Sequence, residues 1–281
     1  MKIEIAKKIL EFVSTEPKSI QEVAKCIEKS WKTADKYLGE LKETNPELQI
    51  KVFRKGSHGA LKVVYLKSTM KKSGDQLRDR LFNDYLVGKV KDDFDVMEFY
   101  MQVNSDKKEM VIEEYQESDI SQKQDLIKHL KNCDRTLYVF SGNLSWINVK
   151  ENGILMLDVL EKMVKRGIKI KVLCRIDAAS IRNIHKLKSL DHKHNTDLIE
   201  VRHQRHPLRG FIFDDTMLRL KEEIRLGRYK KGEIDNNLRI FYDIHENEWI
   251  NWLKNIFYYS FNSAMDLASY EEMIKKVVGY V

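Results

Sequence analysis

Between Glu200 and Asp215 the chain sets Arg202, His203, Arg205, His206 and Arg209 ahead of a strand that ends in two acids, Asp214 and Asp215. Imidazoles can attack phosphorus or carry protons, and guanidinium forks hold phosphate or carboxylate groups. The five residues are a candidate site for an anion or an effector; ion pairing with Glu200, Asp214 or Asp215 is their alternative use. A second group lies far upstream. Lys29, Ser30, Lys32, Thr33 and Lys36 fall at the start of a helical pattern, and Arg54, Lys55 and His58 flank a glycine-bearing turn. Lysines and small hydroxyls at a helix start suit phosphate oxygens and base edges together. That chemistry points to double-stranded DNA.

The elements around the second group fit that use. Ser19-Ile20-Gln21-Glu22 is a capping box, which starts a helix by satisfying its free N–H groups reciprocally. Ile20, Val23, Ala24 and Ile27 line one face of that helix, and Ala34, Leu38 and Leu41 line one face of the next. An earlier helix over 2–13 places Ala6, Ile9, Leu10 and Val13 on a stripe. Two alternating runs, 48–53 and 61–66, enclose Lys55-Gly56-Ser57-His58-Gly59, whose glycines suit a hairpin. Three helices followed by a β-ribbon predict a winged helix-turn-helix. Trp31 is expected in its core.

Composition narrows the class. The 281 residues are 42% hydrophobic with only three prolines, enough for a folded core rich in helices. No apolar run approaches the length of a membrane helix, and the first residues lack a signal-peptide pattern; a cytoplasmic protein with no membrane partner is expected. Cys26, Cys133 and Cys174 are odd in number and sit in apolar-periodic segments, so buried thiols are expected. Of the +7 net charge, +5 falls in residues 1–67, where fourteen Lys and Arg face nine Asp and Glu. A basic module on a nearly neutral body fits nucleic-acid binding at one end.

After a linker near 67–74, residues 75–104 read as two helices with aromatic faces, which pack on a second copy or on their own chain. From about 118 the pattern alternates helix and strand. Helices fall near 119–132, 153–166, 181–190 and 246–265. Strands fall near 136–140, 168–174, 198–202, 211–213, 217–220 and 238–242. This predicts a parallel or mixed sheet covered on both faces. Asp191-His192-Lys193-His194 lacks a third ligand in a suitable register, and Gly142 stands alone after its strand, so neither a metal site nor a Gly-rich phosphate loop is expected.

With this order of elements, the 200–215 segment resembles the phospholipase-D-like domain that is joined to winged helices in archaeal regulators of the sugar-sensing TrmB type. The motif of active phospholipase D members is His-x-Lys-x-x-x-x-Asp, in which His attacks phosphorus and Lys holds the phosphate. With Asp214 as its Asp, Pro207 takes the His position and Arg209 the Lys position. His206 is one residue out of register and would face the other side of a strand. The resemblance therefore implies the fold rather than phosphodiesterase chemistry.

The expected fold class is α/β (α+β overall). A winged helix-turn-helix domain occupies 1–68, a helical linker with a role in dimerisation 69–109, and a phospholipase-D-like α/β domain without catalysis 110–281. The expected function is a sequence-specific transcriptional regulator: not an enzyme, without cofactor, homodimeric, and open to a small-molecule effector. The alternatives are a DNA-targeted phosphodiesterase or nuclease and a winged-helix interaction module of the transcription or replication machinery.

Overall fold

The computed structural model describes residues 3–14, 17–45, 47–54, 60–66, 74–115, 125–225 and 236–278. Helix α1 (Ile3–Val13) is followed by β1 (Lys18–Ser19), α2 (Ile20–Cys26) and α3 (Trp31–Thr44), then β2 (Leu48–Arg54) and β3 (Ala60–Leu66). The capping box forms as the sequence predicts. The Ser19 hydroxyl accepts from the Glu22 N–H at 3.2 Å, and the Glu22 carboxylate accepts from the Ser19 N–H at 2.7 Å. Glu28 turns the chain in the left-handed region, at φ 55°, so that α3 crosses α2. Ile9, Val13, Ile20, Val23, Leu38 and Val64 form one buried core under the antiparallel order β1-β3-β2. This is the layout of a winged helix. Trp31 departs from its expected place: it is 36% exposed at the first position of α3.

Helices α4 (Gly74–Val87) and α5 (Val96–Gln102) follow. Their apolar faces, with Leu77, Leu81, Tyr85, Phe99 and Tyr100, are buried inside their own chain. Tyr85 donates to the Ser260 hydroxyl at 2.8 Å within that core.

The remaining chain runs β4 (Lys108–Tyr115), α6 (Leu126–Asn132), β5 (Thr136–Phe140), β6 (Lys150–Glu151), β7 (Ile154–Leu155), α7 (Met156–Lys165), β8 (Lys169–Cys174) and α8 (Ile181–His194). It ends with β9 (Ile199–His203), β10 (Gly210–Phe213), β11 (Met217–Ile224), β12 (Asn237–Ile244), α9 (Asn247–Ser263), β13 (Met265–Asp266) and α10 (Leu267–Val278). Eight strands form one sheet, in the order β13-β9-β8-β5-β10-β11-β12-β4. Only β5, β8 and β9 are parallel, as the βαβ crossovers through α7 and α8 require. The expected helix over 119–132 is described from Leu126, and residues 116–124 lie outside the described part. Asp191 to His194 fall in α8 rather than a loop. There the Asp191 carboxylate accepts from the Leu198 and Ile199 N–H groups at 3.0 and 3.1 Å.

The two faces of the sheet differ. On one, Leu218, Leu220, Ile240 and Tyr242 join α4, α5 and α9 in a single core. On the other, α7 and α8 cover the parallel half, with Val139, Val172 and Val201 buried beneath them. At β11 and β12 that second face turns charged. Alternation puts Arg219, Lys221, Glu223 and Arg239 there, where apolar cover on both faces was predicted.

Two polar anchors stand out. Asp214, 8% exposed and at φ 54°, closes the β10–β11 turn. Its carboxylate accepts from the Asp134, Arg135 and Thr136 N–H groups at 2.8–2.9 Å and so fixes the start of β5. Burial alone would raise its pKa, but the three N–H donors outweigh burial and hold it below the ordinary value of 3.8. Next to it, Arg219 on β11 meets its register partner Asp243 on β12. Nε donates to Oδ1 at 2.6 Å and Nη2 to Oδ2 at 2.5 Å, with side-chain exposures of 4% and 7%.

Asp214→Asn keeps the size of the side chain and places an NH2 against N–H donors. Charge-assisted bonds of this kind contribute about 1.5–3 kcal/mol, and a loss of that order is expected in urea unfolding at pH 7. The carboxylate's contribution is present above the unfolded pKa and disappears as pH falls through the depressed folded one. The variant should therefore lose less stability than the parent on acidification below about pH 4. Asp243→Ala leaves Arg219 buried without its carboxylate and should cost about 3–5 kcal/mol in the same assay. A double Arg219→Met, Asp243→Leu variant should lose less than Asp243→Ala alone.

Candidate nucleic-acid interface and anion cavity

On the winged helix, Lys29, Lys32 and Lys36 are exposed along the outer face of the first turns of α3 and the residues before it. Among the described residues none of the three has a carboxylate partner. Lys32 Nζ lies 5.9 Å from the centre of the Trp31 ring, which leaves its charge directed outward. Asp35 is engaged elsewhere: both of its carboxylate oxygens accept from Lys62 Nζ at 2.6 Å, and this pins α3 to β3. Ser30 and Thr33 serve the helix itself. The Ser30 hydroxyl caps α3 by accepting from the Thr33 N–H at 3.2 Å and lies 2.9 Å from the Thr33 hydroxyl. Arg54 ends β2 in the wing, where only its backbone is described; Lys55 and His58 lie outside the described residues.

The predicted Arg and His cluster does not converge. Arg202 donates to Glu200 at 2.8 and 2.6 Å and to the Phe261 carbonyl at 2.8 Å, with its guanidinium over the Phe261 ring. His203 stacks on Tyr270 at 4.7 Å, and its Nδ1 accepts from the Ile176 N–H. Arg205 is exposed. His206 is buried beside Phe140 and donates from Nε2 to the Leu173 carbonyl at 3.1 Å. Burial, reinforced by Arg209, lowers its pKa to about 3, so it is neutral at any physiological pH. Ion pairing with Glu200, the alternative use foreseen from the sequence, is what Arg202 does.

Arg209 alone of the five reaches a cavity. Its Nη1 donates to the His206 and Leu208 carbonyls at 3.1 and 2.6 Å, and its guanidinium lies over Gly142. A Cβ at Gly142 would stand 2.9 Å from Arg209 Nη2, so glycine there makes room for the cation. Among the described residues Arg209 has no carboxylate partner. Burial lowers its pKa and nearby Arg175 adds to the effect.

The cavity occupies about 630 Å3 between the β5 end, the segment 143–149 and the charged face of β10 to β12. Glu223 stands in it as a shared counter-ion. It accepts from Lys91 at 2.6 Å and Lys221 at 2.8 Å, with Arg225 at 4.0 Å and Arg239 at 3.9 Å. Burial alone would raise its pKa, but Lys221 and Lys91 outweigh that and hold it at about 2. Part of the wall is aromatic: Phe211, the cross-strand neighbour of Arg219, meets Trp146 edge-on at 4.9 Å. None of Lys91, Lys221, Glu223, Arg225 and Arg239 was singled out from the sequence. The signal was there in Arg219-Leu220-Lys221-Glu222-Glu223-Ile224-Arg225, where period-2 alternation places the odd-numbered charges on one face.

No protein-family model and no curated protein matches the chain. Several solved structures are similar to it. TrmBL2, described as an archaeal chromatin protein with a novel mode of DNA binding, is 16% identical over 95% of both chains, with a TM-score of 0.41. Nuc from Salmonella typhimurium, a phospholipase D family member, is 11% identical over 57% of this chain and 98% of its own, with a TM-score of 0.40. NucT from Helicobacter pylori is 12% identical over 57% of this chain and all of its own, with a TM-score of 0.39. The expectation that the chain is not an enzyme is corrected here. Its similar structures include Nuc, a phospholipase D family member, and NucT.

Proposed function

We propose that the chain is a sequence-specific, double-stranded DNA-binding transcriptional regulator that reads the major groove with α3. The observation that carries this reading is the outer face of α3, where Lys29, Lys32 and Lys36 stand exposed with no carboxylate partner among the described residues. A helix packed on its inner face by Ala34, Leu38 and Leu41 and pinned by Asp35 to Lys62 presents those lysines rigidly. Rigid presentation lowers the entropic cost of binding. In this reading residues 1–68 form the DNA-binding unit, 69–109 couple it to the body, and 110–281 form a phospholipase-D-like body. The protein acts as a homodimer in the cytoplasm, since two recognition helices on a twofold-symmetric site multiply modest single-site contacts. A small-molecule effector bound by the body sets DNA affinity. Arg54, Lys55 and His58 in the wing add phosphate contacts.

The test starts with sheared genomic DNA incubated with the protein and excess competitor, and the recovered fragments are sequenced. Fragments that share a twofold-symmetric site are expected. Lack of enrichment overturns the reading. On the recovered site, Lys32→Ala and Lys36→Ala should each weaken binding about tenfold, or ~1.4 kcal/mol. Each should also reduce the slope of log affinity against log salt by about one where the lysine meets a phosphate.

A further inference from the structure

We infer that the cavity between β10, β11, β12 and Trp146 is a binding site for a small nucleoside phosphate. The proposal rests on the effector part of the function proposed above and names the site and ligand class. Four features of the cavity carry it.

Its charge is unbalanced. Lys91, Lys221, Arg225 and Arg239 gather around the single carboxylate of Glu223, with Glu113 beside Arg239 at 3.9 Å. Arg209 adds a half-buried guanidinium whose hydrogen bonds go only to backbone carbonyls. Among the described residues that line the cavity, cations outnumber carboxylates, and such an excess is relieved by an anion carrying more than one charge. Its wall also carries the edge-on rings of Trp146 and Phe211, against which a flat ring can pack. One hydrogen-bond donor there is also unused: among the described residues the buried Trp146 Nε1–H meets no acceptor. A volume of about 630 Å3 fits a ligand larger than a free phosphate.

The cavity brings cations and rings together, as a phosphate and a base are joined within one molecule. Recognition of this kind uses side-chain cations and needs no Gly-rich loop. Lys91 gives the site a route outward, because it belongs to the segment between α4 and α5. Phosphate competes with the Glu223 carboxylate for Lys91, so ligand binding loosens the 2.6 Å link between that segment and β11.

The test is isothermal titration of the full-length protein without DNA, using ATP, AMP, inorganic phosphate and a 5′-phosphorylated single-stranded tetranucleotide as separate probes. Saturable binding of ATP or AMP is expected, with inorganic phosphate at least tenfold weaker. A double Lys221→Gln, Arg225→Gln variant, checked for a native circular dichroism spectrum, should bind at least tenfold more weakly. Trp146→Phe, which keeps a ring and removes the N–H, should bind severalfold more weakly. Absence of saturable ATP and AMP binding at millimolar concentration overturns the proposal, as does undiminished binding in the double variant. Inorganic phosphate binding as tightly as the nucleotides removes the nucleoside from the assignment. A tetranucleotide preferred over both nucleotides makes the occupant a strand end, and the small-ligand assignment fails. DNA affinity is measured separately, with and without ATP. Nucleotide binding that leaves DNA affinity unchanged refutes the effector reading while the site stands. Loss of DNA binding in Lys36→Ala, measured without nucleotide, bears on the DNA reading alone.

Discussion

The register of β11 against β12 decides which side of the sheet is core and which is site. Arg219 and Asp243 are direct partners in that register, and their two-pronged ion pair is buried. A slip of one residue would send Leu218, Leu220, Ile240 and Tyr242 to the charged side and push Lys221, Glu223 and Arg239 into the core. The apolar face alone already resists such a slip, since it packs against α4, α5 and α9. The ion pair adds directional specificity on the charged face, where Arg219 also lies over the Phe241 ring. Asp214 performs the same task one turn away: by collecting three N–H groups ahead of β5 it aligns the parallel half of the sheet with the antiparallel half. Arg209, Gly142 and Phe211 all sit at that junction, so the cavity depends on both anchors.

The winged helix is joined to the body by more than a tether. Val63 of β3 belongs to the same buried cluster as Tyr100 and Leu220, and Lys51 Nζ lies 6.0 Å from the centre of the Tyr100 ring. Helices α4 and α5 bury their aromatic faces in that cluster as well. A change at β11 therefore has a short physical path to β3, through packed side chains and the Lys91–Glu223 link. Contiguity supplies only the path; coupling requires two arrangements that the ligand distinguishes.

The parts of the sequence that were legible are those in which a local signal and the tertiary use agree. The Ser19–Glu22 capping box, the apolar stripes of α2 and α3 and the strand at 136–140 are each decided within a few residues, and each appears in the structure as expected. Trp31 misled because its size suggests a core residue, while its place at the helix start turns it to solvent. The strand β4 was not foreseen. It lies at the edge of the sheet, and its outward positions at Glu109 and Val111 mix charged and apolar types, which blurs the alternation. The Arg and His cluster at 202–209 misled for a different reason. Closeness along the chain is not closeness in space: β9 ends at His203, and the chain turns before β10 begins at Gly210. Arg202 therefore pairs with Glu200 along β9, His206 enters the core, and of the five Arg209 reaches the cavity. The cations that do gather come from the residue before β10, from β11 and the residue after it, from β12 and from the segment after α4, and only the pairing of strands brings them together.

The two basic regions differ in what their charges cost, and this separates the tasks each can perform. The lysines of α3 stand in water, so they keep full hydration and lose little when a phosphate arrives and counter-ions leave. That suits a long polyanion met over an open surface. Lys91, Lys221 and Arg239 are partly to largely buried, and burial would be unfavourable without the carboxylate of Glu223 placed among them. An internal counter-ion makes such a group stable when empty and selective when filled. A ligand must offer Lys91, Lys221 and Arg239 a better partner than the carboxylate already present, and a single weak anion does not. A compact multivalent anion with a ring for Trp146 meets that condition, whereas an extended duplex is too wide to enter a cavity of about 630 Å3. The placement of Glu223 thus separates the open lysines near the start of α3 from the neutralised cations of the cavity within one basic chain.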